Sequence, residues 1–340
     1  MSFDLILPFF PGQIQDLLLD ERISDLCING DHNVFVERDG LMSLVEGLSM
    51  QRDHINAVVE QIARVLGRDI TEKDPIQDLR LPNGSRVGAV YSPCSPYGPT
   101  LTIRKFNRWF TTTELVQCGS LPASVRDVVV EAILERRNVL VSGGTGSGKS
   151  TMLNAFAAHI PPTDRLIVIE KPIELQINHA NAVRWEAIDE LPSRPAVTVA
   201  HLVTAALRHR PDRIIVGEVR DHSAYDMLQA MNTGHSGSMT TTHADSAVSA
   251  LNRIADLALS AHSNLDHQFV RSQTADALHY VLQVNRNSEG TRHVTELVKV
   301  LGYDASRHVF EVERLYRFEP AILHEFPVKG GCFAQTSSGR

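Results

Sequence analysis

The sequence predicts an α/β protein of two domains: a smaller α+β domain with a mostly antiparallel sheet, then a larger domain with a mainly parallel sheet. Three observations predict it. The first hundred residues carry short strand-like segments, broken by turns, around one amphipathic stretch. From about residue 122, helical patterns alternate with short, continuous apolar runs, as in βαβ units. A glycine-rich turn, Gly143–Ser150, lies between one such run and a helix.

In the first domain, spanning 1–106, two strands are expected at Asp25–Gly30 and Asn33–Gly40, each closed by turn residues. Apolar residues recur at helical spacing from His54 to Leu66: Ile55, Val58, Val59, Ile62, Ala63 and Leu66. Two further strands are expected at Ser85–Ser92 and Thr100–Lys105. The proline-rich Pro93–Pro99 between them cannot lie in a central strand. Residues 107–121 show little periodicity and read as a linker. The second domain is placed at 122–317, with apolar strands at Asn138–Val141, Leu166–Ile169 and Ile214–Val216. A tail over 318–340, mobile from Val328, completes the chain.

A chain of 340 residues exceeds one ordinary core and suits two. Its net charge is −7, which argues against a general nucleic-acid coat and against direct sequence-specific nucleic-acid binding. The four cysteines, Cys27, Cys94, Cys118 and Cys332, have no metal-finger spacing and read as reduced thiols. No run approaches the ~18 apolar residues of a membrane span, and the N-terminus lacks the layout of a secretory signal. A cytoplasmic location is expected, with any membrane contact peripheral or through partners.

Gly143-Gly-Thr-Gly-Ser-Gly-Lys-Ser150 fits G-x-x-x-x-G-K-[ST] at every fixed position, with a strand before it and a helix after it. The pattern is physical: glycines let the backbone curl so that its N–H groups face phosphate oxygens, and the helix N-terminus adds positive potential. Gly143, Gly144, Thr145, Gly146, Ser147, Gly148, Lys149, Ser150 and Thr151 are therefore the expected ATP-binding residues. Lys149 is expected at the β- and γ-phosphates and the Ser150 hydroxyl on Mg²⁺. Glu218, closing the run Arg213–Glu218, is expected to hold the magnesium's water shell or polarise the attacking water. Glu170 and Glu174 follow another apolar strand, at the strand ends where parallel sheets bind ligands; either could orient water. His235 and His243 flank a small-residue turn and a β-branched stretch. No thiol or third ligand lies near them, so hydrogen bonding to phosphate, or relay of its state, is preferred to zinc.

Together these four segments, in this order, resemble the traffic ATPases of type II and type IV secretion, conjugation and pilus machines. The first domain carries its own part of the resemblance, in Ile23–Gly30, Val34–Gly40, Arg80–Arg86 and Leu101–Lys105. The resemblance implies a RecA-like P-loop NTPase domain, a homo-hexamer, nucleotide bound between the two domains, inner-membrane secretion or pilus platform partners, and a translocated substrate. It also implies that arginines of the first domain, here Arg86 and Arg104 with Arg80 a weaker candidate, reach the phosphates. Two departures stand out. Lys171 occupies the acidic box where the family has Asp, and the four-cysteine zinc insert of many relatives is absent. The compact chain is closest in plan to the type IV secretion and conjugation branch or to tight-adherence pilus ATPases. A pilus-retraction motor, a nucleotide-sensing scaffold with little turnover and a DNA-translocating ATPase are the other readings.

Overall fold

The computed structural model describes residues 6–30, 33–68, 70–105, 110–190, 194–262 and 264–319. The chain divides into two compact units, 1–108 and 109–340.

In the first unit a 3₁₀ turn (Leu7–Phe9) precedes α1 (Gly12–Leu19), β1 (Ile23–Asn29), β2 (Asn33–Arg38), β3 (Leu41–Leu44), α2 (Arg52–Val65), β4 (Ile76–Arg80), β5 (Arg86–Val90) and β6 (Thr100–Arg104). The sheet order is β3-β2-β1-β6-β5-β4, and every pairing is antiparallel. Burial alternates along the strands. Leu26, Ile28, Val34, Val36, Val87, Ala89, Leu101 and Ile103 face one core, which the helical positions Ile55, Val58, Val59, Ile62 and Ala63 of α2 complete. Strands β3 and β4 and helix α1 are additions to the sequence reading. The β2–β3 hairpin turns on Asp39-Gly40, both at positive φ, as a two-residue turn with Arg38 opposite Leu41 requires.

The second unit runs α3 (Thr112–Gln117), α4 (Ala123–Leu134), β7 (Val139–Gly143), α5 (Lys149–Ala157), β8 (Leu166–Glu170), β9 (Ala182–Glu186), α6 (Val199–Ala206), β10 (Arg213–Val216), α7 (Ser223–Asn232), β11 (Met239–Thr242), α8 (Ala247–Leu259), α9 (His267–Ala277), β12 (Tyr280–Arg286), β13 (Arg292–Asp304) and β14 (Val309–Arg317). The sheet order is β14-β13-β12-β7-β11-β10-β8-β9. From β9 to β12 all pairings are parallel, and β13 and β14 extend the sheet antiparallel. The central strands are apolar throughout because both faces are covered. Leu140, Ile167, Ile169, Ile214 and Val216 pack in the core that includes α6 to α9. Val139, Val141, Leu166, Val168 and Ile215 pack in the core that includes α4 and α5.

The stretch read as a linker needs correction. Thr111 caps α3 in a reciprocal capping box with Glu114, and Leu115 and Leu121 are buried in the second unit's core. Short length, not lack of structure, hid the periodicity of this six-residue helix. Residues 107–109 and the tail from 320, Val328–Arg340 and Cys332 included, lie outside the described residues. Among the described residues, no helix is long and apolar enough to cross a membrane. Cys27, Cys94 and Cys118 are free thiols.

Candidate functional site: the P-loop and the strand ends around it

Strand β7 is buried at all five positions and delivers the chain to Gly143. A Cβ at Gly143 would lie 2.2 Å from the Val284 carbonyl oxygen and 2.5 Å from Ser147 Oγ, so only glycine fits. Gly146 and Gly148 take φ of +68° and +97°, and Gly148 opens helix α5 from the left-handed region. The loop is thus a cradle that side chains would fill. Ser147 Oγ is buried inside it with no hydrogen-bond partner among the described residues. Lys149, Ser150 and Thr151 form the first turn of α5. These features fit a bound polyphosphate: curled backbone, a helix N-terminus and a lysine.

Lys149 is almost fully buried. Its Nζ donates to the carbonyls of Gly143 (3.1 Å) and Gly144 (2.8 Å) and lies 3.3 Å from His243 Nδ1. Burial pulls its pKa down, and Glu218 and Glu174 act against that pull. An ammonium only donates, so Nδ1 of His243 must accept and the imidazole proton sits on Nε2. That Nε2 is 2.8 Å from Glu218 Oε1, although Oε1 has no aligned hydrogen bond among the described residues. Burial, then the Lys149 charge, lowers the His243 pKa, which keeps the ring neutral. Glu218 Oε2 accepts from Arg220 at 2.6 Å. Lys149, His243 and Glu218 therefore form one chain of contacts across the ends of β7, β11 and β10.

The carboxylates of the acidic box sit differently. Glu170 is buried at the end of β8, and its Oε1 accepts from the backbone N–H groups of Glu174 (2.8 Å) and Leu175 (2.9 Å). Its side chain lies across Gly217, where a Cβ would meet Glu170 Cγ at 2.8 Å. Desolvation pushes its pKa up to about 7. Glu174 acts electrostatically on Lys149, whereas Glu170 is not among the charges that do. Lys171 turns outward and pairs with Asp189.

The two histidines are not together. Strand β11 runs parallel to β7 with Met239 opposite Val139 and Thr242 opposite Ser142. His243 therefore lies at the P-loop edge, and His235, ahead of β11, at the opposite edge. There its ring contacts the Ala230 carbonyl at 3.2 Å. The intervening strand alone is ~10 Å long. Proximity in sequence suggested a shared phosphate contact; the direction of β11 separates them within this unit.

Two side chains that the motif reading passed over do reach the loop. Arg286 and Arg292 are cross-strand partners on the β12–β13 hairpin. Arg292 Nε donates to the Gly146 carbonyl at 2.7 Å, and its stem lies 3.6 Å from where a Gly148 Cβ would be. Arg286 Nη1 lies 3.5 Å from the corresponding point on Gly146. The available signal was two arginines bracketing the turn Asn287–Gly290.

In the first unit, Arg80 lies opposite Arg86 and Arg86 opposite Arg104, so the three stand in one row across β4, β5 and β6. Arg86 pairs with Asp78 at 2.8 Å and Arg104 with Asp25 at 2.9 Å. Like charges directly opposite repel, so the row has a cost that these aspartates offset in part.

A glycine cradle between a buried parallel strand and a helix, with its lysine turned over the loop, defines a P-loop nucleotide-binding protein. Residues 12–305 match the family model described as type II/IV secretion system protein, and the chain belongs to that family of secretion ATPases. It is 33% identical over 288 residues to the conjugal transfer protein TrbB of Rhizobium radiobacter, covering 84% of this chain and 85% of TrbB. It is 31% identical over 302 residues to the type IV secretion system protein PtlH of Bordetella pertussis, covering 80% and 88%. Among solved structures, the ATPase DotB of Legionella pneumophila shares the fold with a TM-score of 0.62 at 22% identity, covering 87% of this chain and 82% of DotB.

Proposed function

We propose that this chain hydrolyses ATP at the Gly143–Ser150 loop and powers substrate translocation in a type IV secretion or conjugation machine. The observation that carries the reading is the contact chain Lys149–His243–Glu218 at the mouth of the P-loop. In this reading a cation, a neutral imidazole and a carboxylate face the γ-phosphate and its attacking water. The names of TrbB and PtlH support the conjugation and type IV secretion branch over a retraction motor.

In this reading Lys149 and the loop N–H groups hold phosphate charge. Ser150 and Glu218 are the residues that would hold Mg²⁺, which supplies further charge neutralisation. A magnesium at such a site is bound mainly through phosphate oxygens and water. Glu174 and Glu218 are the better candidates to orient water, because both act on Lys149 through their charge and Glu170 does not; Oε1 of Glu170 holds two backbone amides, and its Oε2 is buried without a partner among the described residues. The arginines of the first unit assigned to phosphate charge are Arg86 and Arg104. The working form is a homo-hexamer at the cytoplasmic face of the inner membrane, attached through platform proteins.

Steady-state phosphate release by the purified chain, with sedimentation to fix subunit number, tests the reading. The expected outcome is magnesium-dependent turnover by a six-subunit particle. Turnover no faster than that of Lys149→Ala would remove the hydrolase assignment.

A further inference from the structure

Gln283 is a buried amide in the middle of β12, 1% exposed, among the core residues Val281, Leu282 and Val284. It stands opposite Ser142, the residue that precedes Gly143, and Ser142 in turn stands opposite Thr242, the residue that precedes His243. Each of these three side chains is 1% exposed or less. Ser142 Oγ donates to Gln283 Oε1. Gln283 Nε2 donates to the Ala244 carbonyl at 3.0 Å and to Asn285 Oδ1 at 2.8 Å. Strands β12 and β11 lie on either side of β7, so this one side chain ties the P-loop strand to the residue after His243. Two strand spacings, roughly 9.6 Å, separate β12 from β11, and the glutamine side chain together with its 3.0 Å hydrogen bond to Ala244, just beyond the end of β11, bridges them.

Three of the four hydrogen-bonding positions of the amide are engaged: its oxygen accepts once and both N–H bonds donate. A buried group with both donors matched fixes its neighbours in one arrangement. What it fixes is the separation between Gly143 and the His243–Ala244 turn, and so the 3.3 Å approach of His243 to Lys149.

We propose that Gln283 is a positioning residue for the reaction at the P-loop: it holds the His243 turn against the phosphate-binding strand, and acts on turnover through His243. The inference rests on the hydrolase reading above. The Gln283 side-chain hydrogen bonds run to Ser142, Ala244 and Asn285, not to Lys149 or the Gly143–Ser150 loop, so nucleotide binding is expected to survive its loss while kcat does not.

The test compares wild type, Gln283→Met, His243→Ala, the double variant and Lys149→Ala in steady-state turnover and in ADP binding. Gln283→Met is expected to lower kcat at least about tenfold, since a misplacement on the order of 1 Å costs about a hundredfold. Its ADP Kd is expected to stay within about twofold. In the His243→Ala background the same substitution is expected to have no further effect, because the residue through which it acts is gone. Effects that multiply in the double variant, an unchanged kcat, or an ADP Kd that weakens in step with kcat would each overturn the proposal. Should Gln283→Met not fold, Gln283→Glu replaces it with the same expected outcomes. It keeps the shape and the Ser142 bond but loses the donor to Ala244. Lys149→Ala separates the two levels. If it retains full turnover, the hydrolase reading fails; if it is dead while Gln283→Met is unaffected, only the role of Gln283 fails.

Discussion

Substituting Glu170 by Gln separates a carboxylate that shapes the site from one that reacts. Burial raises the Glu170 pKa from its ordinary 4.5 to about 7. The charged form is therefore disfavoured in the folded state, and between pH 4.5 and 7 the native chain holds a proton that the unfolded chain has lost. Stability from this group is present at low pH and falls as pH rises through that window. At about 1.4 kcal/mol per pH unit, the interval amounts to about 3 kcal/mol above pH 7 and about 1 kcal/mol at pH 5. Glutamine keeps a carbonyl oxygen for the Glu174 and Leu175 amides and cannot ionise. Glu170→Gln is thus expected to stabilise the second unit increasingly with pH. A shift of about 2–4 °C per kcal/mol, usual for a unit of this size, makes its gain in Tm at pH 8 larger than at pH 5 by roughly 4–8 °C. The assay is thermal unfolding of both proteins at pH 5, 6, 7 and 8. A Tm difference that does not change with pH would refute the reasoning. Turnover is measured on the same samples: Glu170→Gln is expected to retain activity within about tenfold, and Glu174→Gln and Glu218→Gln to lose more.

Other predictions follow from single contacts. Arg292→Ala removes the charge-assisted bond to the Gly146 carbonyl; such bonds contribute about 1.5–3 kcal/mol, discounted here for exposure to solvent, so ADP affinity is expected to fall about tenfold by calorimetry with little change in Tm. Gly143→Ala forces a methyl to within 2.2 Å of the Val284 carbonyl oxygen; strand β12 must shift, and a loss of about 3 kcal/mol in urea unfolding is expected. Burial and the Lys149 charge hold the His243 pKa below the ordinary imidazole range; protonation at lower pH would set a second cation beside Lys149, so turnover is expected to fall on the acid side. That acid limb should flatten in the residual turnover of His243→Gln.

The fold was legible where pattern and burial coincide. Strands β7, β8 and β10 are apolar at nearly every position because helices cover both faces, and continuous apolar runs of that length have few other homes. Helix α2 was legible because one face alone is buried. Strand β3 was not: all four of its residues are exposed, so no alternation marks it, and only the Asp39-Gly40 turn gives it away. Strand β4 does alternate in burial, but its apolar Ile76 is exposed at an edge and its polar Gln77 is buried, so residue type does not show the alternation.

The site was legible to the extent that its chemistry lies on one local motif. Gly143 to Ser150 are contiguous, and backbone geometry alone dictates their spacing. The contributions that sequence could not supply come from strands brought together by topology. Arg292 reaches Gly146 across an interval of 146 residues, and Gln283 reaches Ser142 across 141. Nor could spacing rank the three glutamates, since each closes or follows an apolar strand. What separates them is which groups lie beside each carboxylate. Glu218 meets Arg220 and His243, Glu170 meets two amides in a desolvated corner, and Glu174 faces Lys149 through its charge. The same reasoning divides the histidines, because a parallel strand carries its two ends to opposite edges of the sheet, and only the residue at its C-terminal end can meet the P-loop of the same chain.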